Sequence, residues 1–181
     1  AQGTSVCAGG AFAIVGGEDR RDLAAIDLRT GGLLPWKPQV EGVNVLLAAG
    51  RTVYAGGFFS FAQGMPRKGL AAIDAGTGAL LDWDPDVPQR GVLQPTVQSL
   101  ALRDTTLYVG GSFGGNLIAV GTGSGARTGW QPAPDGGVGT LALEDSTLYV
   151  GGSFATIGGR GRARLAEVSL ATGLATAWNP A

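Results

Sequence analysis

The stretch Thr147-Leu148-Tyr149-Val150-Gly151-Gly152-Ser153-Phe154 decides how this chain folds, because Thr106-Leu107-Tyr108-Val109-Gly110-Gly111-Ser112-Phe113 repeats it residue for residue. Thr52-Val53-Tyr54-Ala55-Gly56-Gly57 is a third version, and Phe12-Ala13-Ile14-Val15-Gly16-Gly17 reads as a fourth, looser one. Just upstream of the three clear versions lie Val43-Asn44-Val45-Leu46, Val97-Gln98-Ser99-Leu100 and Val138-Gly139-Thr140-Leu141. Between the two runs sits a hydrophilic tip: Gly50-Arg51, Arg103-Asp104 or Glu144-Asp145. Two β-rich runs around such a tip predict a hairpin. In the first copy Thr4-Ser5-Val6-Cys7 and a Gly9-Gly10 turn stand in for the first run. That alignment sets Cys7 beside Leu47, Ala101 and Ala142, as a small core residue on a strand.

Downstream, each copy continues with Leu23-Ala24-Ala25-Ile26-Asp27, Leu70-Ala71-Ala72-Ile73-Asp74, Leu117-Ile118-Ala119-Val120-Gly121 or Leu165-Ala166-Glu167-Val168-Ser169. Thr30-Gly31, Thr77-Gly78, Ser124-Gly125 and Thr172-Gly173 follow, where Gly supplies the positive φ of a tight turn. Asp27 and Asp74 start that turn, with a short acceptor able to bond the N–H groups two residues on. A ruler closes each copy: Trp36-Lys37-Pro38, Trp83-Asp84-Pro85, Trp130-Gln131-Pro132 and Trp178-Asn179-Pro180, stepping by 47, 47 and 48 residues and using every Trp in the chain. Pro cannot donate to a ladder and so ends the last strand.

Each copy therefore predicts four short antiparallel strands, and a four-stranded sheet recurring every ~40–50 residues is the unit of a β-propeller. The expected fold is all-β: one domain over 1–181 with blades at about 3–42, 43–96, 97–137 and 138–181. The ring would close as four blades, or as eight shared with a second chain, since an open stack leaves adhesive sheet edges. No stretch keeps a helical apolar period. Between Gly pair and next strand the copies alternate five, twelve, five and twelve residues, the long loops being Phe58–Gly69 and Ser153–Arg164.

Composition agrees. Gly is 33 of 181 residues, charged residues are 15%, and the net charge is −1. Neutralising phosphates takes a basic surface, so nucleic acid is not an expected partner. No apolar run approaches the ~20 residues of a membrane-spanning helix, so no membrane insertion is expected. No basic-apolar leader opens the chain, and Ala1 reads as a mature N-terminus or as a boundary within something longer. With no His and one Cys, the chain lacks the usual triads, His-ligated zinc and an internal disulfide.

Candidate sites are few. The long loops carry Phe58, Phe61, Met65, Arg67 and Lys68 in one and Arg160, Arg162 and Arg164 in the other, with Arg67 and Arg162 equivalent. Aromatics and Arg together suggest a docking face for a protein or an acidic glycan. Phe59 and Phe154 read as core. The four Trp side chains are expected between blades, each N–H bonded to a neighbouring carbonyl, rather than stacked on sugar. Gly pairs without a following helix or Lys do not make a phosphate loop. Asp82, Asp84 and Asp86 alternate about Trp83 and read as a solvated acidic edge, with a cation site as the alternative. No carboxylate recurs in all four copies, so no enzyme and no cofactor is expected.

Taken together, Gly-Gly after an apolar strand, Leu-Ala-Ala-Ile-Asp, Thr-Gly and Trp resemble the kelch-type blade, and more closely the bacterial delta-sixty β-propeller repeats. Gly110-Gly111-Ser112-Phe113 and Gly151-Gly152-Ser153-Phe154 carry the likeness most directly; Glu18-Asp19, Gly121 and Ser169 depart from it. The resemblance implies a non-catalytic, secreted, cell-surface or periplasmic binding or scaffolding module. Its partner would be a protein, a second copy completing the ring, or a glycan.

Overall fold

The structure, a computed structural model, describes residues 4–91 and 93–180. Among them there is no helix. The chain forms two compact units, one ending at Asp84 and the other beginning at Pro85. Each unit holds two copies of the repeat.

Three copies share one sheet. Val43–Ala49, Thr52–Gly57 and Leu70–Asp74 pair antiparallel in that order in the second copy. Thr96–Arg103, Thr106–Ser112 and Leu117–Gly121 do so in the third, and Val138–Glu144, Thr147–Gly152 and Leu165–Ser169 in the fourth. The repeated octapeptide is thus the middle strand. Val53, Tyr54, Ala55 and Gly56 are all buried, the pattern of a strand covered on both faces.

The glycine pair has two separate jobs. A Cβ on Gly57 would lie 2.0 Å from the Gly42 carbonyl oxygen, and one on Gly152 would lie 2.1 Å from that of Gly137. There the register slips by one residue, between Val43 and Val45 and between Val138 and Thr140. Such a bulge brings backbone onto backbone, and only Gly leaves room. The first Gly admits a side chain instead: Leu46 at Gly9, Val138 at Gly110 and Thr140 at Gly151.

The expected fourth strand is reduced to one bridge per copy: Ile26 with Leu33, Ile73 with Leu80, Val120 with Arg127, Val168 with Ala175. One further bond follows each, from the N–H of Leu34, Leu81, Thr128 or Thr176. The ladder stops early for a definite reason in three copies. An arginine takes the carbonyl of Leu34, Leu81 or Thr176, and Pro removes a donor soon after.

The first copy requires a correction. Ser5–Gly9 pairs directly with Leu23–Asp27, Cys7 opposite Ala25, in the register that sets Tyr54 opposite Ala72. Its Gly pair is therefore Gly9-Gly10, and Ser5–Gly9 is the middle strand of its copy. Gly16 and Gly17, at φ 58° and 83°, are the corner of a small hairpin joining Ile14–Val15 to Glu18–Asp19. Two successive positive φ values make the type I′ turn that matches strand twist, and a Gly pair suits that as well as a bulge. Cys7 consequently equates with Tyr54, Tyr108 and Tyr149. It is half-buried against the core of its unit, and burial raises its thiol pKa.

With the first copy realigned, the strict alternation of loops disappears. Copies one, two and four carry the twelve-residue loop, and the third alone is short. In the third, segment 85–91 packs on the short loop: Gly114 N–H bonds Pro88 O at 2.9 Å, and Val87 is fully buried.

Each unit has its own core. Leu23, Trp36, Val43, Val53, Phe59 and Ile73 build the first; Leu117, Val138, Leu148, Phe154, Ile157 and Val168 build the second.

Candidate functional site

The long loops hold the residues that sequence reasoning selected for binding. Each contains a two-stranded hairpin: Ile14–Val15 with Glu18–Asp19, Phe61–Ala62 with Met65–Pro66, and Thr156–Ile157 with Arg160–Gly161. Gln63-Gly64 and Gly158-Gly159 turn the second and third of these with positive φ, as Gly16-Gly17 does in the first.

One arginine anchors each hairpin from beneath. Arg67 is buried, donating from Nη1 to Pro66 O at 2.8 Å and from Nη2 to Leu81 O at 3.1 Å. Arg162 is buried too, with Gly161 O at 2.8 Å and Thr176 O at 2.6 Å. Arg20 makes the same pair of bonds, to Asp19 O and Leu34 O. A planar fork suits two carbonyls at once, and the charge strengthens both bonds. Glu18 lies 3.0 Å from Arg20, and Asp84 lies 3.8 Å from Arg67. Arg67 and Arg162 were expected as polar anchors for a partner. Their place in the structure corrects that role, because burial and backbone bonding take both out of the contact surface. The signal was present in the chain: Arg20, Arg67 and Arg162 each precede a Trp by 16 residues. Aligning on the Gly pair hid it in the first copy.

The other candidates divide by unit. In the first, Phe58, Phe61 and Met65 are 57%, 60% and 54% exposed, and Lys68 is exposed beside them in sequence. Gln63 ties the hairpin down, its N–H to Gln39 O at 2.8 Å and its side-chain amide to Gly78 O at 2.7 Å. A cleft of about 380 Å³ runs from Gln63 and Met65 to Leu81 and Asp82. In the second unit, Arg160 and Arg164 are exposed, Arg164 at φ 69° just before its strand. Asp135 holds that hairpin, accepting the N–H groups of Thr156 at 2.9 Å and Ala155 at 2.8 Å. Those bonds, Thr156 first, lower the Asp135 carboxyl below its usual range. Phe59 and Phe154 are core, as expected.

The tryptophans are structural, as the sequence suggested. Trp36 and Trp83 are buried, and Trp36 donates its indole N–H to Asp74 O in the next copy at 3.0 Å. Trp130 donates likewise to Ser169 O at 3.0 Å. Trp83, Trp130 and Trp178 meet Tyr54, Tyr108 and Tyr149 edge-on, with centroids 5.0–5.3 Å apart. Trp36 has no such ring, because Cys7 stands where the tyrosine would be.

The carboxylates are spent on turns and pairs. Asp27 Oδ1 accepts from Arg29 N, Thr30 N and the Thr30 hydroxyl, and Asp74 Oδ1 repeats this with Gly76 and Thr77. Thr77, through its N–H and hydroxyl, followed by Gly76 and Arg51, holds the Asp74 carboxyl down at about 2. A second cleft, of about 290 Å³, is lined by Asp19, Arg21, Lys37 and Glu41. Its charges close in pairs, Lys37 with Asp19 at 3.3 Å and Arg21 with Glu41 at 3.2 Å. Among the described residues no three acidic, His or Cys side chains gather into a cation site, the Asp82-Asp84-Asp86 run included. Glu167, where other copies have Ala, accepts the Thr176 hydroxyl, and that bond leads in lowering its pKa.

No protein-family model matches the sequence and no curated protein matches it, so the kelch-like resemblance rests on its motifs. Solved structures do resemble the fold. The computationally designed Ika8 protein aligns at TM-score 0.60 and 18% identity, over 96% of this chain and 45% of its own. The computationally designed Ika4 protein aligns at 0.51 and 16%, over 72% of each. BamB from Moraxella catarrhalis aligns at 0.46 and 22%, over 84% of this chain and 45% of its own. The chain thus spans less than half the length of the Ika8 protein. At these identities the likeness is one of fold: a chain of repeated antiparallel sheets.

Proposed function

We propose that the chain is a set of β-propeller blades serving as a protein-binding module, with the hairpin of Phe58–Gly69 as its contact face. One observation carries the reading. Phe58, Phe61 and Met65 stand more than half exposed on a hairpin whose backbone is already fixed by Arg67 and Gln63. Folding does not need three large apolar chains in water there. The equivalent positions are Ala11, Ile14 and Glu18 in the first copy and Ser153, Thr156 and Arg160 in the fourth. An apolar group on a rigid, pre-ordered loop costs little entropy to dock, and aromatic and Met side chains are enriched at protein interfaces.

Catalysis has no place in this reading, since the carboxylates cap turns and pair with arginines. A work site outside the cytoplasm follows from the kelch-like resemblance and belongs to the proposal. No helix among the described residues is long and apolar enough to cross a membrane.

The test is a double substitution, Phe58→Ser with Phe61→Ser, compared with wild type by crosslinking in the source cell and by thermal unfolding. Loss of a specific crosslinked protein at an unchanged Tm supports the face. Retention of every crosslink removes it.

A further inference from the structure

The repeats join by one recurring contact, and the chain carries an open half of it at each end. Trp36 donates its indole N–H to Asp74 O, the residue that starts the Asp74–Gly78 turn. The indole also covers that turn: a Cβ on Gly78 would lie 3.4 Å from Trp36 Cδ1. In the second unit Trp130 reaches Ser169 O, and Gln131 and Pro132 lie 3.3 Å from a Cβ on Gly173. The contact is therefore a Trp-x-Pro ridge seated on the Thr-Gly turn of the next copy.

The turn of the first copy is built to the same pattern. Asp27 Oδ1 holds Arg29 N and Thr30 N at 2.9 and 2.8 Å, and Gly31 sits at φ 68° with its N–H bonded to Asp27 O. Yet a Cβ on Gly31 would meet nothing within 4 Å. At the other end, Trp178 is braced edge-on by Tyr149 but is 38% exposed, against 3% for Trp36. Its backbone N–H bonds the Thr176 hydroxyl, which sets the ridge as Thr128 sets that of Trp130.

We propose that these halves join two copies of this chain head to tail, Trp178 of each seated on the Asp27–Gly31 turn of the other. A donor and an acceptor open on one molecule make a heterologous contact, which closes when the rotation allows. Two chains supply eight copies, inside the range of about four to eight blades in known propellers. The contact is independent of the Phe58–Gly69 face.

Sedimentation equilibrium of the full chain, with Trp178→Ala and Gly31→Asn, tests this. Asn tolerates the left-handed backbone, so the turn survives while a side chain fills the indole seat. Wild type is expected at about two chain masses. Each variant should weaken the dimer about 30-fold or more, the scale of a central Trp hot spot. Gly31→Asn keeps the test open should Trp178→Ala misfold, and circular dichroism reports which has happened. Wild type at one chain mass, a mass growing without limit, or a dimer indifferent to Gly31→Asn overturns the proposal.

Discussion

The hairpins of the second and fourth copies are the same object to their backbones and different objects to solvent. Both stand on a bulge glycine, both turn through two residues of positive φ, and both are pinned by an arginine that spends Nη1 on its neighbour and Nη2 on a carbonyl 14 residues away. Above that frame one presents Phe58, Phe61 and Met65, and the other presents Ser153, Thr156 and Arg160. The lesson is about where to look for function. Features common to both hairpins build the repeat, including the two arginines that resemble ligand anchors. Only the difference between them is available for recognition.

The comparison breaks first at the glycines. Gly57→Ala and Gly152→Ala both set a methyl against a carbonyl oxygen that cannot move without the sheet. Each is expected to cost about 4 kcal/mol or more, read by urea unfolding. Tolerance at one site and not the other would show that the two bulges differ. Next come Arg67→Ala and Arg162→Ala. Each strips two charge-assisted bonds from carbonyls beneath a hairpin, for about 3 kcal/mol. Similar losses at both confirm a shared frame; a negligible loss at either returns that arginine to the surface.

A smaller effect sharpens the contrast of the turns. Asp74 caps its turn in the second copy, whereas the fourth has Ser169 there. The Asp74 carboxyl lies at about 2 when folded, below its ordinary value near ~3.9. A depressed folded pKa gives stability that is present above the unfolded value and lost as pH falls through the folded one. Stability should therefore drop between about pH 4 and pH 2, and Asp74→Asn should flatten that slope in urea titrations. Ser169→Ala should leave it unchanged. Smallest of all is the tip. Phe58→Ser with Phe61→Ser should shift stability by no more than about 0.5 kcal/mol while removing the partner, and Thr156→Ala should do neither.

Much of this was legible in the chain. Middle strands, Thr-Gly turns, Asp caps and structural tryptophans follow from local chemistry: a run of β-formers, a residue that accepts positive φ, a carboxylate two residues before an N–H. Two readings failed for physical reasons. Gly16-Gly17 looked like a blade pair because bulges and type I′ corners both demand glycine, and composition cannot separate them. Arg67 looked like a surface anchor because a cationic loop residue is ordinarily solvated.

By itself, then, the sequence determined the repeat: its period, its strands and the turns between them, all set within a few residues of each other. Tertiary structure decided which arginines are buried, which glycine pair opens the first copy, and which apolar side chains are left in water. Those outcomes depend on partners 14 to 40 residues away, such as the Leu81 carbonyl for Arg67 and the Asp74 carbonyl for Trp36. No local pattern records that distance.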